Sequence, residues 1–237
     1  MKKILITGVN SGLGNCLNDT FNKESRHYKL TRENRHQVIE LARQNKDVDT
    51  IIHAAFGSQG GYEQVDLHDY FKYVDDNILL TKELLDIPHK RFIYISSLVV
   101  YETNYNNYKM TKLYCESMVK NLATNYLILR CPAILNRFMR PNNLIKIIDD
   151  TNPKLSLTED STFNYITDTQ VADIISSDEK GVIDLTASKN IDLGSIALLV
   201  NKKVKFGKYK FTTPKIKGYL NKTSEEILQE FINTRKK

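Results

Sequence analysis

The chain has 237 residues, 41% of them hydrophobic, with 34 Lys or Arg against 28 Asp or Glu and a net charge of +6. That length suffices for one large domain or one domain with a small lobe, and no apolar run is long enough to cross a bilayer. Three scattered cysteines (Cys16, Cys115, Cys131) and five histidines without paired ligand spacing argue against a disulfide framework and a metal site, so a reducing, cytoplasmic setting is expected.

The basic character is local. Residues 200–237 hold 11 Lys or Arg against 3 Asp or Glu, a segment charge of +8 that leaves −2 for the rest. A solvated surface accounts for such a tail, and its lysines would also attract a diphosphate-bearing substrate. The stretch contains no recognisable nucleic-acid module, so nucleic acid is not an expected partner, nor is a membrane. The opening Met1-Lys2-Lys3-Ile4-Leu5-Ile6 imitates a signal peptide, but its apolar stretch is short and runs straight into glycines.

In chain order, Lys3 to Thr7 reads as a buried strand, and 12–21 as a helix with Leu13, Leu17 and Phe21 on one face. A helix over 31–44 is expected to turn Val38, Leu41 and Ala42 inward. Strands are predicted over 49–55, 91–96 and 127–130, and helices over 67–85 and 108–121. This alternation implies an α/β fold: a Rossmann-like, doubly wound parallel sheet covered by helices on both faces. Beyond Leu135 the rhythm loosens. Helices are predicted over 143–149, 171–176, 193–200 and 224–233, the last entered at Ser224, with a short strand over 182–185. We read residues 1–135 as a dinucleotide-binding domain and 136–237 as a small C-terminal α/β substrate lobe, interleaved with the first.

Gly8, Gly12 and Gly14 follow a strand and open a helix. Glycine permits positive φ and close approach of the backbone to a pyrophosphate, and the free N–H groups of the helix start favour the anion. Asn10, Ser11 and Leu13 belong to the same turn and are candidate cofactor contacts. At the end of the second strand an NAD site usually carries an acid. The comparable run Tyr28-Lys29-Leu30-Thr31-Arg32 carries none; Arg32 suits a 2′-phosphate, so NADP is expected in preference to NAD.

Tyr108 and Lys112 lie one helical turn apart and share a face. A phenol is a poor base at neutral pH, and an adjacent ammonium favours its ionised form. With a serine hydroxyl from the neighbouring strand end, such a set moves a proton while a cofactor moves a hydride.

Several blocks together resemble the short-chain dehydrogenase/reductase superfamily, and more closely its extended branch, the NAD(P)-dependent epimerase/dehydratase family. They are Thr7 to Gly14, Ile52-His53-Ala54-Ala55, Asn77 with Thr81, Phe92 to Tyr101, Tyr108 to Lys112 with Glu116, Leu129 to Pro132, 163–168 and 171–173. The resemblance implies that Ser97 is the active-site hydroxyl, Tyr108 the general acid/base and Lys112 its partner, with Tyr108 and Lys112 also meeting the cofactor. It implies that Ala54 and Ala55 line the cofactor and that Pro132 and Ala133 lie beside the nicotinamide carboxamide. Ser96 is read as strand-end packing, and Asn77 as either a helix brace or an active-site contact. The extra glycine, the short Ser97–Tyr108 interval and the short chain depart from the extended pattern and bear on the substrate.

The resemblance implies a small-molecule substrate, a nucleotide-linked sugar, with reduction ranked above epimerisation. Leu98 and Val99 offer no acid/base pair beside Ser97 for dehydration. The alternative is a non-catalytic dinucleotide-binding regulator or sensor on the same fold. A homodimer through the helices beginning at Leu67 and Tyr108 is expected, since both carry more apolar residues than one sheet face needs.

Overall fold

The computed structural model describes residues 2–10, 12–22, 25–46, 48–57 and 67–235. The chain runs β1 (Lys2–Thr7), α1 (Gly12–Phe21), β2 (Ser25–Leu30), α2 (Arg35–Asn45) and β3 (Val48–His53). α3 (Leu67–Val74) continues through a π-helical turn, Asp75–Leu79, into α4 (Leu80–Leu85). β4 (His89–Ser97), α5 (Asn107–Leu122), β5 (Tyr126–Cys131) and β6 (Ala133–Leu135) follow. The remainder holds α6 (Asn143–Asp149), β7 (Thr162–Phe163), β8 (Tyr165–Thr167), α7 (Asp168–Ser176), β9 (Gly181–Asp184), β10 (Ile191–Asp192), α8 (Leu193–Leu199) and α9 (Ser224–Arg235).

Six parallel strands form the central sheet in the order β2-β1-β3-β4-β5-β9. Ile4, Ile6, Ile52, Ile93 and Leu127 pack one face against Leu17 of α1 and Val171 and Ile175 of α7. Leu5, Ile51, Phe92 and Ile128 pack the other against Ile39 and Ala42 of α2, Leu84 of α4 and Val119 of α5. Alternate residues of one strand thus serve opposite layers, as a sheet buried on both faces requires. A third hydrophobic cluster gathers Leu135, Leu144, Ile147, Leu193, Ile196 and Leu228 from the later part of the chain. β9 is the short strand expected over 182–185. It pairs with β5 as the outermost strand of the central sheet, so the chain returns to that sheet after β6, β7 and β8.

Three local expectations are corrected. The second helix starts at Arg35, because Asn34 and Thr31 hydrogen-bond each other as a turn (Thr31 N to Asn34 Oδ1, 2.7 Å). In that helix Ile39 is buried instead of Leu41, which is 45% exposed. The last helix is capped by Thr223, whose backbone N–H and hydroxyl donate to Glu226 at 2.7 and 2.9 Å. Ser224 is turned inward and accepts from the Tyr165 N–H at 3.1 Å. Among the described residues no helix is long and apolar enough to cross a membrane, and no His, Cys, Asp or Glu group could hold a metal ion.

His53, at the end of β3, ties the layers together. Its ring nitrogens meet Thr7 Oγ1 at 2.9 Å and Thr81 Oγ1 at 3.0 Å, and Thr7 Oγ1 also accepts the Ala55 N–H at 2.9 Å. Burial, with the Lys112 and Arg35 charges adding to it, pushes the imidazole down to about 3. The unfolded chain therefore binds the extra proton first. Stability from this residue is complete above its ordinary value of about 6.5 and is lost as pH falls towards 3, at about 1.4 kcal/mol per pH unit. Chemical denaturation at pH 7, 6 and 5 should show this loss in the wild type and lack it in His53→Gln; parallel pH dependences would refute it.

Candidate active site

β1 and β3 stay paired to their carboxyl ends, and the segments that follow them part there, α1 packing on one face of the sheet and α4 on the other. In open α/β sheets this is where ligands bind. A cavity of about 620 Å³ lies there, lined by Gly8, Asn10, Gly12, Leu13, Arg32, Ala54, Ala55 and Pro132, among others.

The glycine turn forms the floor. Gly8 and Gly12 have φ of +75° and +53°. A Cβ on Gly14 would stand 2.3 Å from the Gly8 carbonyl oxygen, and one on Gly8 would stand 3.0 Å from Ala55 Cα. Side chains are thus excluded by backbone contact at both positions, and α1 starts with no acid in its first turn. This cradle and the helix start behind it suit a diphosphate. Gly14 packs beneath the turn and does not line the cavity. Ser11 lies outside the described residues.

Arg32 reaches the rim from the end of β2, where it is 61% exposed. Its fork meets Asp76 at 2.7 and 3.3 Å, and Asp76 itself lines the cavity. Arg35, also at the wall, is held by Asp75 and Glu83 at 2.8 and 2.9 Å. The π-helical turn carries Asp75, Asp76 and Asn77, and Glu83 follows in α4. The Asn77 amide accepts the Gly57 N–H (2.9 Å) and donates to the Gly57 and Tyr73 carbonyls (3.0 and 2.8 Å). Asn77 is therefore a brace for the Ala54–Gly57 loop.

Pro132 and Ile134 line the cavity, whereas Ala133 does not. β6 alternates sides: Ala133 packs on the third hydrophobic cluster and its N–H donates to the Asn164 carbonyl at 3.2 Å.

Ser97, Tyr108 and Lys112 come together beside this cavity. Ser97 ends β4, and its Oγ accepts the Val99 N–H at 3.2 Å. Asn106 caps α5 by accepting the Lys109 N–H at 2.8 Å, which sets the first-turn position of Tyr108. Burial raises the Tyr108 phenol above its ordinary value, and a hydrogen bond with Ser97 opposes that rise. Lys112 is 4% exposed, and its ammonium donates to the Ile95 carbonyl at 2.8 Å. It lies over the Phe56, Tyr94 and Tyr108 rings at 4.6, 4.9 and 5.9 Å from their centroids. Burial lowers it to about 8, against nearby acidic groups that raise it.

Phe56, which sequence reading passed over, lines the cavity and meets Tyr108 edge-on at 4.7 Å between centroids. Its place directly after Ala54-Ala55 was the available signal. Ser96 is buried behind the site, and its hydroxyl donates to Glu116 at 2.6 Å. The Arg130 fork closes on the same carboxylate at 2.9 and 2.7 Å, which holds Glu116 below the usual carboxylate range despite its burial. This ion pair locks α5, and with it Tyr108 and Lys112, to β4 and β5.

No protein-family model matches the chain, and no curated protein matches it in sequence. Solved structures do. A dTDP-4-dehydrorhamnose reductase from Clostridium acetobutylicum superposes with a TM-score of 0.78 at 17% identity, covering 99% of this chain and 100% of that one. A dTDP-4-dehydrorhamnose reductase from Bacillus anthracis, solved in complex with NADP, gives 0.76 at 16% identity over 99% of each chain. A UDP-glucuronic acid 4-epimerase from Bacillus cereus, in complex with UDP-glucuronic acid and NAD, gives 0.69 at 17% identity over 98% and 99%. The chain thus has the Rossmann-like fold of these nucleotide-sugar reductases and epimerases over its full described length.

Proposed function

We propose that the protein is an NADP-dependent oxidoreductase of the epimerase/dehydratase kind that reduces, or less favourably epimerises, a nucleotide-linked keto-sugar. The observation that carries this reading is the convergence of Ser97, Tyr108 and Lys112 behind Phe56, which lines the same cavity as the glycines Gly8 and Gly12. A nicotinamide dinucleotide would be held by Gly8, Gly12 and Leu13 at its diphosphate, by Arg32 at a 2′-phosphate, and by Ala54, Ala55 and Pro132 along its length. When bound it supplies the hydride.

The chain's own residues do the rest. Ser97 Oγ–H donates a hydrogen bond to the substrate carbonyl oxygen. Tyr108 gives its phenolic proton to that oxygen as the carbonyl carbon is reduced. The Lys112 ammonium favours the phenolate left on Tyr108, through a cavity wall in which the buried rings strengthen the attraction. Leu98 and Val99 are both buried and bring no acid or base, which favours reduction over dehydration. The lobe formed largely by 136–237 is assigned to the sugar nucleotide.

The test is a fluorescence titration with NADPH and NADH. Tighter NADPH binding, lost to parity in Arg32→Ala, is expected; equal wild-type affinities would remove the NADP preference, and no binding would remove the reading.

We also propose a homodimer through α3 and α5. Tyr70, Phe71, Met110 and Tyr114 are 43%, 63%, 49% and 56% exposed, and three of them line a second, shallow groove between these helices. Light scattering after size exclusion should give twice the chain mass, and Tyr114→Glu should give the monomer. A wild-type monomer would refute the pairing.

A further inference from the structure

The connection from β6 to α6 also lines the cavity, and one of its residues, Arg140, is exposed there. Three arginines line it in all. Arg32 is neutralised by Asp76, and Arg35 by Asp75 and Glu83. Among the described residues, Arg140 has neither an acid partner nor a hydrogen bond. The lining acids, Glu33 and Asp76, belong to the Arg32 side. Arg140 therefore brings positive charge without a counter-ion among the described residues to the cavity that Gly8, Asn10 and Gly12 also line.

The turn that carries Arg140 is built to hold its place. Asn136 is 7% exposed, and its Oδ1 accepts the Phe138 N–H at 2.9 Å. Arg137 points the other way: it pairs with Asp19 of α1 and stacks its guanidinium on the Phe138 ring, 4.6 Å from the centroid. An ion pair to α1 thus ties the turn to the helix whose N-terminus faces the cavity. Two arginines of one connection are used differently, Arg137 as an anchor and Arg140 left open to the cavity.

We infer that Arg140 is a diphosphate-binding residue, its guanidinium meeting a nucleotide diphosphate in the cavity that the glycine turn also lines. This rests on the dinucleotide reading above for the site but not for the contact itself, since the diphosphate of the cofactor and that of a nucleotide-linked substrate present the same chemistry. A guanidinium fork suits both, and charge-assisted hydrogen bonds of this kind are the strong ones.

The experiment is calorimetric titration of the full chain, R140A and R140K with NADPH, with UDP, and with adenosine 2′-monophosphate, which has no diphosphate. Thermal melts of the variants establish that the fold is intact. R140A is expected to weaken a diphosphate ligand by about tenfold to a hundredfold, R140K to recover part of the loss, and the monophosphate to bind unchanged. Loss on NADPH places the contact on the cofactor, and loss on UDP alone places it on the substrate. Unaltered affinity of R140A for both NADPH and UDP, with the wild type binding them, overturns the inference and leaves the dinucleotide reading standing. Arg140-dependent UDP binding by a wild type that binds no dinucleotide overturns the dinucleotide reading and supports the contact. A wild type that binds neither overturns both. Equal losses for all three ligands also overturn the inference, because the effect would then not follow the diphosphate.

Discussion

Tyr108→Phe is expected to lower turnover by a factor of about 10² to 10⁴, the usual yield of a positioned proton donor, while leaving dinucleotide affinity unchanged. The ring stays, so its edge contact with Phe56 and its place over Lys112 stay too. Only the proton and the hydrogen bond to Ser97 are removed. The two readouts separate the competing functions. An enzyme loses turnover and keeps its cofactor; a dinucleotide-binding sensor keeps its response in this variant. If the variant turned over a keto-sugar nucleotide at the wild-type rate, Tyr108 would not be the acid.

Lys112→Met should stabilise the protein and inactivate it. The ammonium is fully enclosed by rings and backbone, and burial lowers it to about 8 from an ordinary value near 10.5. Between those values the unfolded chain binds more protons than the folded one, so stability rises with pH across that window. Below pH 8 the whole cost of burying the charge is present, about 3 kcal/mol. Methionine has a similar length and no charge, and replacing a buried charge by an apolar group of like volume commonly gains about 1–4 kcal/mol. Urea denaturation at pH 7 should therefore show the variant to be the more stable by about 1–3 kcal/mol, with the gap narrowing towards pH 10.5. A less stable variant at pH 7 would show that the Ile95 carbonyl and the aromatic rings outweigh the desolvation cost. Retention of such a costly group fits a functional role, because an apolar residue would serve packing better.

Local sequence was enough for much of the fold. The 3.6-residue and two-residue periods, with the glycines between β1 and α1, place most elements to within a few residues, because amphipathic spacing reports directly which side of a helix or strand is buried. The Tyr108–Lys112 pair was legible for the same reason: an i, i+4 spacing on a helix puts both side chains on one face whatever surrounds it. Gly14 was legible as a position without a side chain, though not the atom that demands it, the Gly8 carbonyl.

What tertiary structure decided are meetings between residues far apart in the chain. Asp76 lies 44 residues from Arg32 and occupies its fork. Glu116 receives Ser96 from β4 and Arg130 from β5. Val182 and its neighbours look like any short strand, yet they complete the main sheet because the β5 edge was free to accept them. Ala133 and Ile134 are adjacent but face different layers, since strand β6 alternates and its register is set by β8. Nothing in a local period encodes these pairings: periodicity specifies which face of an element is buried, and only the packing of whole elements specifies against what. The same holds for charge. Arg137 and Arg140 are alike as sequence, and only the position of Asp19 on α1 distinguishes the anchored arginine from the open one.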